Sequence, residues 1–178
     1  VTKLLESRTD LTVLITSTSR TSAKMLEGRL PPRAIHQMAP YDTAKATSAF
    51  LDNWQPDVVI WIESELWPRM LYEATARNIP CKLLSARVSA RTAARWKKFS
   101  GTAHSVLDQF QAIHVQETAT LEALSAVGIT GPSVALTGSL KKDCPPLDHD
   151  PAELAQLMHA AGDRLIWCAA STHPGEDE

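Results

Sequence analysis

Short β-branched runs alternate with amphipathic, helix-like segments along the whole of this chain, and that alternation constrains its fold most. The strand-like runs fall at 11–16, 35–38, 58–63, 81–85, 112–115, 134–137 and 165–169. Helical patterns occupy 2–7, 18–30, 42–53, 68–77, 89–110 with a break at Ser100-Gly101, 118–127 and 150–162. A strand that returns through a helix to the next strand must lie parallel to it, with the crossover packed on one face of the sheet. The expected architecture is therefore α/β, a doubly wound and mostly parallel, Rossmann-like sheet. A doubly wound unit that opens on the 2–7 helix lacks its first strand, and the 165–169 run opens a further βα unit that the sequence does not complete. The expected organisation is a Rossmann-like domain over 1–137, a linker and linker helix over 138–163, and the first strand and loop of another domain over 164–178.

Val58-Val59-Ile60-Trp61-Ile62 runs directly into Glu63-Ser64-Glu65-Leu66-Trp67-Pro68. An unbroken apolar run of this length reads as a central strand buried on both faces. Pro68 suits the first turn of the next helix, where its missing N–H would be unpaired anyway. The carboxylates then sit at the carboxyl end of a strand, the edge at which open α/β sheets bind ligands. If the chain stays extended there, Glu63 and Glu65 point the same way, and paired carboxylates suit base catalysis or holding a hydroxyl. Asp42 is expected to cap the 42–53 helix. Asp150-Pro151 with Glu153 marks another helix start, and Gly128 marks a helix end.

A formal charge of −2 argues against a nucleic-acid partner. Charge is nonetheless uneven. Arg77, Lys82, Arg87, Arg91, Arg95, Lys97 and Lys98 lie in one stretch without an acid. Arg87, Arg91 and Arg95 recur every fourth residue, so on a helix they form a stripe suited to phosphates or an anionic membrane surface. Lys141 follows the strand at 134–137 and can reach a phosphate at the same edge. Ser171, Thr172 and His173 follow the last strand and suit a phosphate cradle.

The three cysteines form no CxxC pair; Cys81 and Cys168 sit in predicted buried strands, as reduced thiols do. No histidine has metal-ligand spacing, neither GxGxxG nor a P-loop occurs, and no run reaches the ~18 apolar residues of a membrane span. The residues alone leave open an enzyme that uses the strand-end carboxylates or a non-enzymatic module for an anionic small ligand.

Several stretches together resemble the Kdo (3-deoxy-D-manno-octulosonic acid) transferase family of lipopolysaccharide synthesis. They are Pro40-Tyr41-Asp42, Glu63-Ser64-Glu65-Leu66-Trp67-Pro68, Ser85-Ala86-Arg87-Val88-Ser89, Thr137-Gly138-Ser139-Leu140-Lys141, and Ala169-Ala170-Ser171-Thr172-His173-Pro174-Gly175-Glu176. The resemblance implies the N-terminal, acceptor-binding half of a GT-B glycosyltransferase. That enzyme would transfer Kdo from CMP-Kdo to a lipid A precursor, with inversion and without a metal or other cofactor, at the cytoplasmic face of the inner membrane. It implies an acceptor-positioning or supporting role for Glu63 and Glu65, and acceptor or phosphate binding by Arg87, Arg91, Arg95 and Lys141. Ser171, Thr172, His173 and Glu176 would lie near the donor. The family's membrane-anchoring segment and its Gly-Glu base are not found in this sequence, so the expectation is that the chain alone does not catalyse transfer. Another GT-B enzyme, such as a different glycosyltransferase or a 2-epimerase, is the alternative within the same fold.

Overall fold

A computed structural model of the chain describes residues 1–144, 149–173 and 175. It forms two compact units, Val1–Lys142 and Asp143–Glu178.

The first unit carries α1 (Thr2–Ser7), β1 (Val13–Ser17), α2 (Arg20–Leu26), β2 (Ala34–Met38), α3 (Ala44–Trp54), β3 (Val59–Ile62), α4 (Pro68–Ala76), β4 (Cys81–Ala86), α5 (Ala90–Lys98), α6 (Ser100–Leu107), β5 (Ala112–Val115), α7 (Thr118–Ser125) and β6 (Val134–Leu136). A 3₁₀ turn, Leu140–Asp143, follows β6. Every strand pairing is parallel, as the alternation requires. The strands form two hydrogen-bonded ladders, β1-β2 and β3-β4-β5-β6.

β3 departs from its expected burial on both faces. Among the described residues it begins the four-stranded order and pairs with β4. Trp61 is buried, whereas Ile60 and Ile62 are 47% and 43% exposed. Period-two alternation sends these side chains to opposite faces, and only the Trp61 face is covered. That face meets the core: the Trp61 ring stands edge-on to Phe110, with centroids 5.5 Å apart. Leu71 and Ala74 of α4, Leu107 of α6 and Leu124 of α7 close the same cluster.

Asp42 also departs from expectation. Thr43 occupies the N-cap position of α3. The Asp42 carboxylate instead accepts the backbone N–H groups of Arg69 at 3.1 Å and Met70 at 2.7 Å. These are orphan donors of the first turn of α4, where Trp67 supplies no side-chain cap. Asp42 thus ties the start of α3 to the start of α4 and sets the helix that follows the Glu63–Trp67 turn. Asp42→Ala is expected to cost about 1–2 kcal/mol, read as a lowered midpoint in urea unfolding. Asp42→Asn, which keeps an acceptor oxygen, should recover most of it.

α6 is fastened to α7 by His104. Its Nε2 lies 2.7 Å from the Val127 carbonyl and its Nδ1 3.0 Å from Asp108. Gly128, at φ +84°, ends the α7 segment in the left-handed region and lies beside the His104 ring. The Asp108 carboxylate, then the Val127 carbonyl, raise the His104 pKa above its ordinary value. A raised folded-state pKa stabilises the fold fully below the unfolded value near 6.5, and the contribution is lost as pH climbs through the folded value. The melting temperature should therefore decline as pH rises above about 6.5, and His104→Gln should flatten that part of the profile.

In the second unit α8 (Pro151–Ala161) begins as the sequence implies. Asp150 accepts the N–H groups of Ala152 and Glu153, and Pro151 lies in the first turn. The expected strand at 165–169 is not formed. Leu165 and Trp167 are 102% and 82% exposed, and no strand pairs with the segment among the described residues. A strand exists only through a partner's ladder, and an apolar run without one stays irregular. Cys168 is correspondingly exposed, not buried. Cys81 is buried, and burial pushes its thiol up to about 11, which makes it a core thiol rather than a nucleophile.

Candidate functional site at the carboxyl edge of the sheet

Because β3, β4, β5 and β6 are parallel, the residues that follow each strand gather at one edge. Glu63 follows β3, Arg87 follows β4, Glu117 follows β5 and Lys141 follows β6. The Lys141 ammonium lies 2.6 Å from Glu63 Oε1, and Arg87 Nε lies 3.6 Å from Glu117 Oε1. An exposed pair of this kind is worth only about 0–1 kcal/mol. Lys141 and Glu63 are 76% and 39% exposed, so the fold gains little from their meeting.

The backbone is shaped to bring them together. β3 ends in a turn, with Glu63 at φ +60° and the Glu65 N–H bonded to the Ile62 carbonyl. The Ser64 hydroxyl donates to the Arg87 carbonyl, joining the β3 and β4 loops. Ser85, buried and at φ +55°, accepts the Leu140 N–H on its hydroxyl at 3.1 Å. Gln116 donates its amide to the Ser85 carbonyl at 2.6 Å. The N–H groups of Thr137 and Gly138 both reach the Val115 carbonyl. The segment after β6 therefore bends over the ends of β5 and β4, which carries Lys141 to Glu63. Positive φ at a residue other than glycine costs of order 1 kcal/mol or more, and two such residues sit at this edge.

The turn at Glu63 overturns the expected carboxylate pair. The chain is not extended there, and the two acids have separate partners. Glu65 is exposed and accepts the Trp67 indole N–H at 3.2 Å. The stripe is also revised. α5 starts after its cap, Ser89, so Arg87 lies in the preceding loop, and the helical stripe is Arg91, Arg95 and Lys98. No described residue forms an ion pair with Arg91, Arg95, Lys97 or Lys98. Exposed Phe99 continues this basic surface, with the Lys98 ammonium 5.6 Å from its ring centre.

Ser171, Thr172 and His173 lie exposed in the second unit, with Ser171 at φ +59°. Glu176 lies outside the described residues. Sequence reasoning missed Ser64, Ser85, Gln116 and Glu117, whose parts at the edge depend on neighbours in other strands. The Ser85-Ala86-Arg87 stretch was the one available signal for Ser85. Among the described residues no group of three or more His, Cys, Asp or Glu could hold a metal ion, and no helix is long and apolar enough to cross a membrane. Chemically, the edge offers one carboxylate to accept from a hydroxyl and several cations for anionic oxygens.

Comparison with known proteins agrees with this architecture. Residues 1–144 match the family model described as 3-deoxy-D-manno-octulosonic-acid transferase. A 3-deoxy-D-manno-octulosonic acid transferase of Rickettsia bellii is 35% identical over 165 residues, covering 93% of this chain and 39% of that protein. The Rickettsia felis protein of the same name is 36% identical, covering 95% of this chain and 36% of the relative. The Haemophilus influenzae protein is 29% identical, covering 100% of this chain and 42% of its own length. The chain thus spans well under half the length of these relatives. With the motifs, the parallel sheet and the matched segment in accord, the chain belongs to the 3-deoxy-D-manno-octulosonic-acid transferase family.

Proposed function

We propose that this chain is the acceptor-binding part of a metal-independent, inverting GT-B enzyme that moves Kdo from CMP-Kdo to a lipid A precursor in lipopolysaccharide synthesis. The observation that carries the reading is the Glu63–Lys141 pair beside Arg87 at the carboxyl edge of a parallel sheet, in a chain of this family. In the transfer, an acceptor hydroxyl oxygen bonds to the anomeric carbon of Kdo as the bond from that carbon to the CMP phosphate oxygen breaks. The acceptor proton passes to a base, and negative charge grows on the departing phosphate. Glu63 holds the acceptor hydroxyl, and Lys141 holds Glu63 while offering positive charge at the edge. Arg87 takes an anionic oxygen of the acceptor head group. Glu65, bonded to Trp67, supports the turn that presents Glu63. Ser171, Thr172, His173 and Glu176 serve the donor.

Arg91, Arg95 and Lys98, with exposed Phe99, suit the anionic face of the inner membrane on its cytoplasmic side. Arg91→Glu with Arg95→Glu should weaken sedimentation with anionic vesicles by at least about thirtyfold, at roughly 1 kcal/mol for each cation lost, and leave unfolding unchanged. Unchanged sedimentation would remove the membrane role. The reading as a whole is tested in a full-length family protein carrying this chain as its N-terminal part. CMP release is measured with CMP-Kdo and, in parallel, with uridine diphosphate sugars. Release from CMP-Kdo alone, dependent on the lipid acceptor, supports the reading; turnover of a uridine diphosphate sugar moves the chain to another GT-B activity.

A further inference from the structure

Behind the ion pairs, between the sheet and α5, lies a cavity of about 230 Å³. Its lining changes character with depth. Ser64, Arg87, Ser89 and Thr92 stand at the rim with Glu63, whereas Leu83, Leu107, Ile113 and Leu124 form the interior. Those four interior side chains are nearly fully buried and belong to the main core. α5 closes one side with Thr92 and Trp96, four residues apart on one helix face. Its exposed residues Arg91 and Arg95 each immediately precede one of these lining residues.

We infer that this cavity binds one alkyl tail of an anionic amphiphile, whose head group rests on Arg87, Arg91 and Arg95. The interior has no polar side chain to hold water, and an apolar cavity of this kind stays dry or takes an apolar guest. Its volume exceeds the ~150 Å³ that admits benzene and falls short of the ~300 Å³ at which small-molecule sites begin. It therefore takes part of a guest, on the order of eight methylene-sized units at about 30 Å³ each. Charge at the rim selects the head group. Glu63, the one acid lining the cavity, is engaged by Lys141, and Arg87 is shared with Glu117, while Arg91 and Arg95 carry no ion pair among the described residues. The tail site rests on the proposed lipid acceptor only for the identity of the natural ligand, since its own support is the cavity and its rim.

The test is calorimetry of this chain with butyl, hexyl, octyl and dodecyl phosphate, each below its micelle concentration. Affinity is expected to rise about fourfold per methylene, roughly 250-fold over the four methylenes from butyl to octyl, and then to level off. Ala86→Leu, which fills the interior, and Thr92→Phe, which narrows the rim from the helix surface, should each bring the plateau to a shorter chain. Arg91→Glu should weaken every length alike. Affinity independent of length, a rise continuing unbroken to dodecyl phosphate, or wild-type behaviour of both filled variants when folded would overturn the inference. Length dependence without Kdo transfer in the full-length protein would remove the proposed function and keep the cavity. Transfer without length dependence would do the reverse.

Discussion

In a full-length family protein carrying this chain, Glu63→Gln is expected to lower kcat/KM for the proposed Kdo transfer by about 10²-fold, the order of loss when an acceptor is misplaced by about an ångström. The substitution keeps shape and hydrogen-bonding capacity but removes the charge that holds the Lys141 ammonium 2.6 Å away. Lys141→Met should reach a similar rate by freeing Glu63 from its one partner across the edge. Because the two act as a unit, the double variant should be little worse than either single one. Stability separates this outcome from general damage. The pair is exposed, so each variant should unfold within about 1 kcal/mol of the wild type. Ser85→Ala should act in the same direction through Leu140, whose N–H loses the buried hydroxyl that fixes the Lys141 turn. A drop in rate with full recovery in Ser85→Thr would identify that hydroxyl as positioning.

The largest loss of stability is expected from Trp61→Ala, about 3–5 kcal/mol. Trp61 is 6% exposed, it stands edge-on to Phe110, and among the described residues its strand pairs with β4. For a chain of this size such a loss lowers the melting temperature by on the order of 10 °C. Ile62→Ser, one residue along the same apolar run, should stay within about 0.5 kcal/mol because that side chain lies on the open face. Equal effects at both positions would show that β3 is covered on both sides. Differential scanning calorimetry of the two variants decides the matter.

The contrast between Trp61 and Ile62 also shows what the sequence could convey. Signals that act within one turn or one strand were legible. Pro68 starts α4, Asp150 caps α8, Gly128 ends the α7 segment, and the alternation gives a parallel α/β sheet. Signals that depend on a distant partner were not. Asp42 is adjacent in sequence to α3 yet spends its carboxylate on α4. The Val58–Ile62 run is apolar on both faces, but burial needs a covering layer that a strand does not encode. Leu165–Ala169 has strand composition and no ladder. At the site, Glu63, Arg87 and Lys141 could be placed at a strand-end edge from order alone, because parallel strands share a direction. The separation of Glu63 from Glu65 followed from a left-handed residue at Glu63, where the sequence offers no glycine or asparagine to announce it.

The most direct test of the account is the mass of the lipid product. A full-length family protein carrying this chain, reconstituted in anionic vesicles, would be given CMP-Kdo and a tetra-acylated lipid A precursor. The lipid is expected to become heavier by one or more Kdo residues, at a rate that falls about 10²-fold with Glu63→Gln. An unmodified lipid from folded protein, or a Kdo adduct formed equally well by the Glu63→Gln variant, would contradict it.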